Sequence, residues 1–396
     1  MIKMKAKKAK SGIFKIIFSR TALVAALLLF QIGLMIATIT SIEKYAFSVY
    51  VSFIVLSMIV IIYIINRKEN PAFKMSWILF VTFIPIVGTV FYIFMQIQPG
   101  TRYIGKRLFE LGEKTKPYMF QNDKIIEDLR ISKPANANLA HYLSKQVGFP
   151  VHRNTKVTYF RVGEEKFEEL KRQLESAKHF IFMEYFIVEE GIMWDSILEI
   201  LKRKVDEGVE VRFMYDGMCS IVLLPYQYPK KLEEMGIRCK MFSPIKPVLS
   251  THQNNRDHRK ICVIDGQAAF TGGINLADEY INEKERFGHW KDTAVMIKGE
   301  AVRSFTWMFL QLWDIDVKEE EYGKYLDVKQ PVLSGVADGY VMPYGDSPLD
   351  KENVGELVYM DILNTARDYV HIMTPYLIID NEMITALTYA AKRGVD

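Results

Sequence analysis

The sequence predicts an α/β domain tied to a membrane by helices near its N-terminal end. Three observations predict it: two uncharged runs of 22 residues near the start, a later alternation of helical and strand-like segments, and a mean hydropathy of +0.03 although 25% of the 396 residues are charged. That apolar content excludes a disordered chain and calls for a membrane portion. The formal charge is +4, but Met1–Arg20 holds seven basic residues and no acid, so setting that +7 aside leaves −3 for the rest. No large basic face for nucleic acid is on offer. Cys219, Cys239 and Cys262 are scattered and form no C-x-x-C pair, which gives neither a disulfide framework nor a zinc knuckle.

The basic tail, residues 1–20, suits either anionic lipid headgroups or a topology signal. Thr21–Ile42 and Tyr45–Asn66 follow, separated by Glu43 and Lys44. Each is long enough to cross about 30 Å of hydrocarbon as a helix, and together they read as a transmembrane hairpin. The first exceeds the apolar core of a signal peptide and lacks a small-x-small cleavage site. A third apolar segment, Trp77–Met95, is opened by Asn70-Pro71 and interrupted by Pro85 and Gly88. It reads either as a span or as a segment that dips in and returns. Basic residues on both flanks (Arg67, Lys68 and Lys74 before it, Arg102, Lys106 and Arg107 after it) favour the second and place the bulk of a multi-pass chain on the cytoplasmic side of the cell membrane. The anchor thus covers 21–97, and 98–150 reads as a linker.

From there the composition is that of an ordinary α/β protein. Phe167–Ala177 has helical periodicity, Phe180–Val188 reads as a buried strand, Met193–Glu207 returns to helix, Gly208 is a stop, and Val209–Tyr215 is a strand ending at Asp216. Strand, helix and strand of these lengths imply parallel pairing. The order recurs: Ala177-Lys178-His179-Phe180-Ile181 corresponds to Ala366-Arg367-Asp368-Tyr369-Val370, and Gly208-Val209 to Gly394-Val395, the interval from Ala to Gly being 31 residues and then 28. Two α/β units of related design are expected, 151–330 and 331–396. The second stops at Asp396, before its equivalent of Val209–Asp216, so the sequence reads as the front part of a longer chain. Glu184 and Tyr185 line a cleft or form a satisfied buried pair, and Trp307, Phe309 and Trp313 are core or a surface resting on lipid.

The most specific signal is His258-x-Lys260-x-x-x-x-Asp265 followed by Gly272-Gly273-x-Asn275. Ile261–Ile264 reads as a strand, so His258 and Lys260 project to one face. An imidazole beside an ammonium suits attack on a phosphodiester, with the lysine neutralising phosphoryl oxygens in the transition state. The two glycines let backbone approach a phosphate and Asn275 can donate to it. A nucleophilic histidine needs an acceptor on its other ring nitrogen; Asp292 is the candidate, the alternative being a strand-end salt bridge.

HRKICVIDGQAAFTGGIN resembles the HKD signature of the phospholipase D superfamily. The wider stretch, with FIFMEYFIV, VEVRFMYDG, NNRDHRK, INLADEYI, FGHWKDT and Asn70-Pro71 through Pro85-x-x-Gly88, resembles bacterial cardiolipin synthase over four-fifths of the chain. The resemblance implies a phospholipase D-like α/β fold. It further implies transfer of a phosphatidyl group between two phosphatidylglycerol molecules, giving cardiolipin and glycerol through a phosphohistidine and without a metal or other cofactor. It assigns the phosphatidylated position to His258, phosphate binding to Lys260 and Asn275, and the motif carboxylate to Asp265. Family members bring two such motifs together, whereas here one is complete: His289-Trp290-Lys291 has Met296 where an acid is needed, and His141, His152, His179, His252 and His371 lack the following lysine. On that reading the second repeat is incomplete, and this chain holds half an active site and turns over poorly alone. Two other readings stand beside it: a membrane-bound phosphodiesterase with water as acceptor, and a non-catalytic membrane partner of a complete enzyme.

Overall fold

The computed structural model describes residues 20–40, 43–97, 99–219, 223–225, 227–243, 256–317, 321–333, 337–347, 349 and 352–396, with side chains left out at 20–25, 37–40, 43–46 and 99. The basic tail up to residue 19, and His252, lie outside the described residues. The chain divides into two compact units, one running to Tyr103 and the other beginning at Ile104.

The first unit is helical: α1 (Arg20–Thr40), α2 (Glu43–Asn66), α3 (Pro71–Phe83) and α4 (Pro85–Gln96). Among the described residues, Phe47–Asn66 is the one helix long and apolar enough to cross a membrane, with shorter apolar helices at Ala26–Ile36 and Pro71–Phe83. Helices therefore stand at both expected spans, α1 with 21 residues and α2 with 24. The third apolar segment is not one helix. Asn70 caps α3 by accepting the Ala72 N–H at 2.9 Å, and the helix ends at Ile84, because Pro85 has no N–H to extend it. The chain then folds back, so that the Trp77 ring lies 5.2 Å from the Tyr92 ring.

The expected linker over 98–150 is instead largely helical from residue 99 on, as α5 (Pro99–Thr115), which begins in the first unit, and α6 (Asp123–Ser132) and α7 (Pro134–Tyr142) in the second. Ile126, Leu129, Ala137 and Ala140 share a small core with Val151, which a free linker could not offer. Beyond it lies a seven-stranded sheet of β1 (Thr155–Phe160), β2 (Phe180–Tyr185), β3 (Glu210–Asp216), β4 (Arg238–Phe242), β5 (Ile261–Ile264), β6 (Ala268–Gly272) and β7 (Ala294–Gly299), in the order β1-β7-β6-β5-β2-β3-β4. Strands β2, β3 and β4 are parallel, as the strand–helix–strand reading requires, while β5 runs antiparallel to β2.

Alternation along β2 sends side chains into two cores. Ile181, Met183 and Tyr185 pack with Leu170 and Leu174 of α8 (Gly163–Glu175) and with Trp194, Ile197 and Leu201 of α9 (Ile192–Asp206). On the reverse face, past the short α10 (Tyr228–Glu233), Phe180 and Phe182 pack with Phe305, Phe309 and Trp313 of α11 (Val302–Trp313) and with Tyr325 of α12 (Tyr322–Leu326). The aromatic stripe Trp307, Phe309 and Trp313 is therefore core: the Phe182 and Phe309 rings stack at 4.8 Å, and the buried Arg212 guanidinium lies over Trp313.

Toward the end of the chain, α13 (Val354–Thr365) and α14 (Asn381–Lys392) flank a segment that forms no strand and exposes Met373, Tyr376, Leu377 and Ile378. The turns matched in sequence close alike. Val209 N–H donates to Lys204 O at 2.9 Å and Val395 N–H to Ala390 O at 3.1 Å; Glu210 N–H reaches His179 O at 3.0 Å, and Asp396 N–H reaches Asp368 O at 2.9 Å.

Helix α9 is capped from far along the chain, since the Asp278 carboxylate accepts the Ile192 N–H at 3.0 Å and the Met193 N–H at 2.9 Å. Replacing Asp278 by Ala is expected to cost about 1–2 kcal/mol, the usual penalty for losing an N-cap. Urea unfolding followed by the fluorescence of Trp194, buried within that helix, measures it.

Candidate active site

The register Glu184↔Ile261 sets the start of β5 against the exit of β2, so the residues before Ile261 lie beside those after Tyr185. Arg259 enters the reverse face and meets the fully buried Glu184 at 2.5 Å, with Asp257 at 3.5 Å. Its neighbours His258 and Lys260 must then take the other face, as expected from their spacing. There both rest on one residue: the Phe186 ring lies 4.6 Å from the His258 ring and 5.3 Å from the Lys260 ammonium. His258 remains exposed, whereas Lys260 is 5% exposed and donates to the His258 carbonyl at 2.6 Å.

The electrostatics follow from that burial. Loss of water over Phe186 lowers the His258 pKa, the nearby Lys260 ammonium lowers it further, and Asp257 opposes both. Burial brings Lys260 down to about 8 against the pull of Asp257 and Asp292. A second lysine on this face, Lys166 of α8, is 2% exposed, donates to the Tyr185 hydroxyl at 3.3 Å, and is likewise brought down by burial to about 8. Asp292 is the carboxylate whose field opposes the shift in both lysines.

The segment entering the motif is fastened from below. Asp216, at the end of β3, accepts the Asp257 N–H at 2.9 Å and an Arg256 N–H at 3.3 Å, and Arg256 also donates to Ser243 O at 2.8 Å. The exit of β2 is held by Cys219, which donates to Phe186 O at 3.0 Å and accepts the Val188 N–H at 3.3 Å. Sequence reasoning missed Phe186, Asp216, Arg256, Asp257, Arg259 and Lys166. The crowding of four charged residues around His258 was the available signal for three of them; for Phe186, only the end of an apolar run marked the place.

Other expected site residues stand elsewhere or do something else. Asp265 occupies the β5–β6 turn, five residues and so roughly 16 Å of extended chain from Lys260. Its carboxylate accepts the backbone N–H groups of Lys178, His179 and Phe180 at 2.7–2.8 Å, which makes it a clasp for β2. Asn275 is buried, with its oxygen accepting the Ile187 N–H at 2.9 Å and its amide donating to the Tyr280 hydroxyl at 2.8 Å. A β-carbon at Gly272 would sit 2.4 Å from Thr293 O, and one at Gly273 2.1 Å from an Asp292 carboxylate oxygen. These glycines thus admit β7 and Asp292 rather than only a phosphate. Asp292 accepts its neighbour Thr293's N–H at 2.8 Å and, among the described residues, makes no hydrogen bond to His258. Glu184 and Tyr185 are members of buried pairs and not cleft walls.

A cleft of about 380 Å³ reaches the motif from the reverse face, between Arg256, Arg259, Phe305, Met308 and Tyr344. A larger groove of about 1110 Å³ follows β4 past Lys240 and Lys324 and contains no motif residue. Chemically, then, the front face offers an accessible imidazole with a depressed pKa and a buried ammonium against the same Phe186 ring, with a second buried lysine bonded to Tyr185.

Residues 170–313 match the family described as cardiolipin synthase, PLD-like domain, and residues 55–95 match phospholipase D-nuclease N-terminal. The chain is 54% identical to an uncharacterized protein of Streptococcus mutans, over 85% of this chain and 72% of that one. It is 32% identical to a cardiolipin synthase of Halalkalibacterium halodurans, over 89% of this chain and 69% of that one. With a cardiolipin synthase of a Geobacillus species the identity is 34%, over 88% and 69% respectively.

Two measurements probe the site. Asp265→Ala is expected to lower unfolding stability by about 2 kcal/mol or more, because three amides lose a charged acceptor, while folded protein keeps its phosphate chemistry; denaturation and single-turnover assays separate the two. Folded Lys166 titrates at about 8, against about 10.4 for an unfolded lysine. Between those values the unfolded chain binds more protons, so its burial penalty fades as pH rises. Lys166→Met should therefore be more stable than wild type at pH 7, with the gain shrinking above pH 8 and gone near pH 10, as read by urea unfolding across that range.

Proposed function

Since the chain belongs to the cardiolipin synthase family of the phospholipase D superfamily, we propose that His258 carries a phosphatidyl group between two phosphatidylglycerol molecules, yielding cardiolipin and glycerol. The observation that carries this is the shared Phe186 shelf, against which an exposed imidazole with a lowered pKa and a buried ammonium both rest. A ring nitrogen of His258 attacks phosphorus, and the bond from phosphorus to the terminal glycerol oxygen breaks. That oxygen takes a proton from an acid other than His258, whose ring now bears the phosphatidyl group. The terminal hydroxyl of a second phosphatidylglycerol then attacks phosphorus, its proton passes to the conjugate base of that acid, and His258 leaves neutral. Lys260 stabilises the phosphoryl oxygens as their charge grows. Asn275 acts at one remove, fixing the backbone at Ile187 next to Phe186.

With one complete H-x-K-x-x-x-x-D in the sequence, the general acid is the weak point. Such a group is worth about 10²–10⁴-fold and serves both half-reactions, so slow formation of the phosphohistidine and slow turnover are the expected behaviour of this chain alone. The same reading makes the chain a multi-pass protein of the cell membrane, with the basic residues that follow α4 on the cytoplasmic side.

Incubating membranes that contain the full chain with phosphatidyl-labelled phosphatidylglycerol, followed by an alkaline quench, is expected to place label on His258 and none on a His258→Ala variant. Label on another residue overturns the proposal, and release of phosphatidic acid instead of cardiolipin makes water the acceptor. Lys260→Met should slow labelling by about 10²–10³-fold. The labelling rate constant should rise with pH through a histidine pKa below the usual 6.5 and fall again above about 8, as Lys260 loses its proton.

A further inference from the structure

The first unit contains a structure that neither a simple span nor a surface helix explains. Helices α3 and α4 hold 13 and 12 residues, about 18–20 Å each, well short of the roughly 30 Å needed to cross hydrocarbon. They lie against each other as a hairpin. Trp77 meets Tyr92 at 5.2 Å, Phe80 meets Phe91 at 6.1 Å, and a β-carbon at Gly88 would stand 2.7 Å from Phe80 O, so only glycine lets the two helices touch at the closed end.

The depth of the hairpin can be read off α2. At the open end, Lys74 Nζ donates to the Ile65 and Arg67 carbonyls at 2.8 and 3.0 Å, and Arg67 donates to Gln96 at 2.9 Å. Both ends of the hairpin therefore sit level with the C-terminal end of α2, within a belt of Arg67, Glu69, Lys74 and Gln96. At the closed end, the buried Ser57 hydroxyl makes a 2.7 Å hydrogen bond with Thr89 Oγ1 and lies 3.2 Å from Pro85 O. Ser57 is nine residues before Asn66, hence about 13 Å along the helix from that belt, close to half the thickness of the hydrocarbon. The interrupted backbone at Ile84 keeps its hydrogen bonds within the protein, its N–H donating to Phe80 O at 3.1 Å and its carbonyl accepting the Gly88 N–H at 2.7 Å, so irregular chain is tolerated there at membrane depth. Gln31 of α1 adds a further acceptor, 3.4 Å from Val87 N. Outward from these contacts point Phe73, Met75, Leu79 and Phe83, the last 79% exposed.

We propose that α3 and α4 form a re-entrant hairpin that enters one leaflet, turns at Ile84–Pro85 near the bilayer midplane and leaves by the side it entered, its exposed apolar face covered by the acyl chains of that leaflet alone. The charge belt at the open end and the Ser57–Thr89 bond at the closed end fix its two levels. Arg67, Lys68, Lys74 and Arg102 then all face the cytoplasm, which resolves the two basic flanks without a third crossing. The inference is independent of the chemistry proposed for His258.

Its test is cysteine mapping in the full chain, whose own three cysteines are buried. In intact cells and inverted membrane vesicles, a membrane-impermeant maleimide should reach Ala72→Cys and Ile97→Cys from the cytoplasmic face only, and should fail to reach Phe83→Cys from either face until detergent is added. A nitroxide on Phe83→Cys, or on Leu79→Cys if the first variant is not recovered in membranes, should be quenched by lipids labelled deep in the acyl chain. Labelling of positions 72 and 97 from opposite faces overturns the proposal. So does labelling of Phe83→Cys in intact membranes, or quenching of the nitroxide at headgroup level.

Discussion

The ion pair between Glu184 and Arg259 is the constraint from which the arrangement of the site follows. It joins the central strand of the sheet to the residue between His258 and Lys260, and it does so on the face away from them. Because side chains alternate along extended chain, fixing Arg259 inward leaves the imidazole and the ammonium no choice of side. The pair is fully buried on the Glu184 side, where desolvation offsets much of the Coulombic gain, so its value lies in register more than in stability. A slip of one residue would bury His258 and aim Arg259 at the substrate.

Around this pair the molecule places its polar groups economically. Asp216 and Cys219 hold main-chain groups at the ends of the two converging segments, so the loops that meet at the site are tied by their backbone and leave the reactive side chains free. Asp292 sits where two buried lysines feel its charge, and glycine at 273 is what allows the carboxylate to come so near.

Much of this was legible in the sequence, and the failures have physical reasons. Helix and strand periods located β2, α9, β3 and β5 to within a few residues, since each buries a continuous apolar face. The motif located His258 and Lys260, because two residues two apart on a strand share a face whatever surrounds them. Contacts between distant segments were not legible: Phe186, a partly buried aromatic at the end of an apolar run, looked like core, and Asn275 looked like a ligand although its amide is spent on Ile187 and Tyr280. The helices between 99 and 142 were missed because their cores are shared with residues outside the segment, Val151 for α6 and α7, and Phe305 and Phe309 for Leu111 of α5. The apolar stretch from 77 to 95 has the length of a span; Pro85, Gly88 and the basic flanks favoured a segment that dips in and returns, and the opposition of Trp77 to Tyr92 and of Phe80 to Phe91 shows the fold-back.

Asp265 shows how a signature mixes two kinds of information. Two of its letters name groups that can meet a phosphorus atom; the third names an acceptor for the amides of residues 178–180 at the remote end of the sheet. A descendant that exchanged His258 and retained Asp265 would still close the β5–β6 hairpin and clasp β2. On the mechanism proposed for His258, patterns that weight the three letters alike gather inert folds together with enzymes, and divergence at the first position, not the last, marks a relative that has abandoned chemistry.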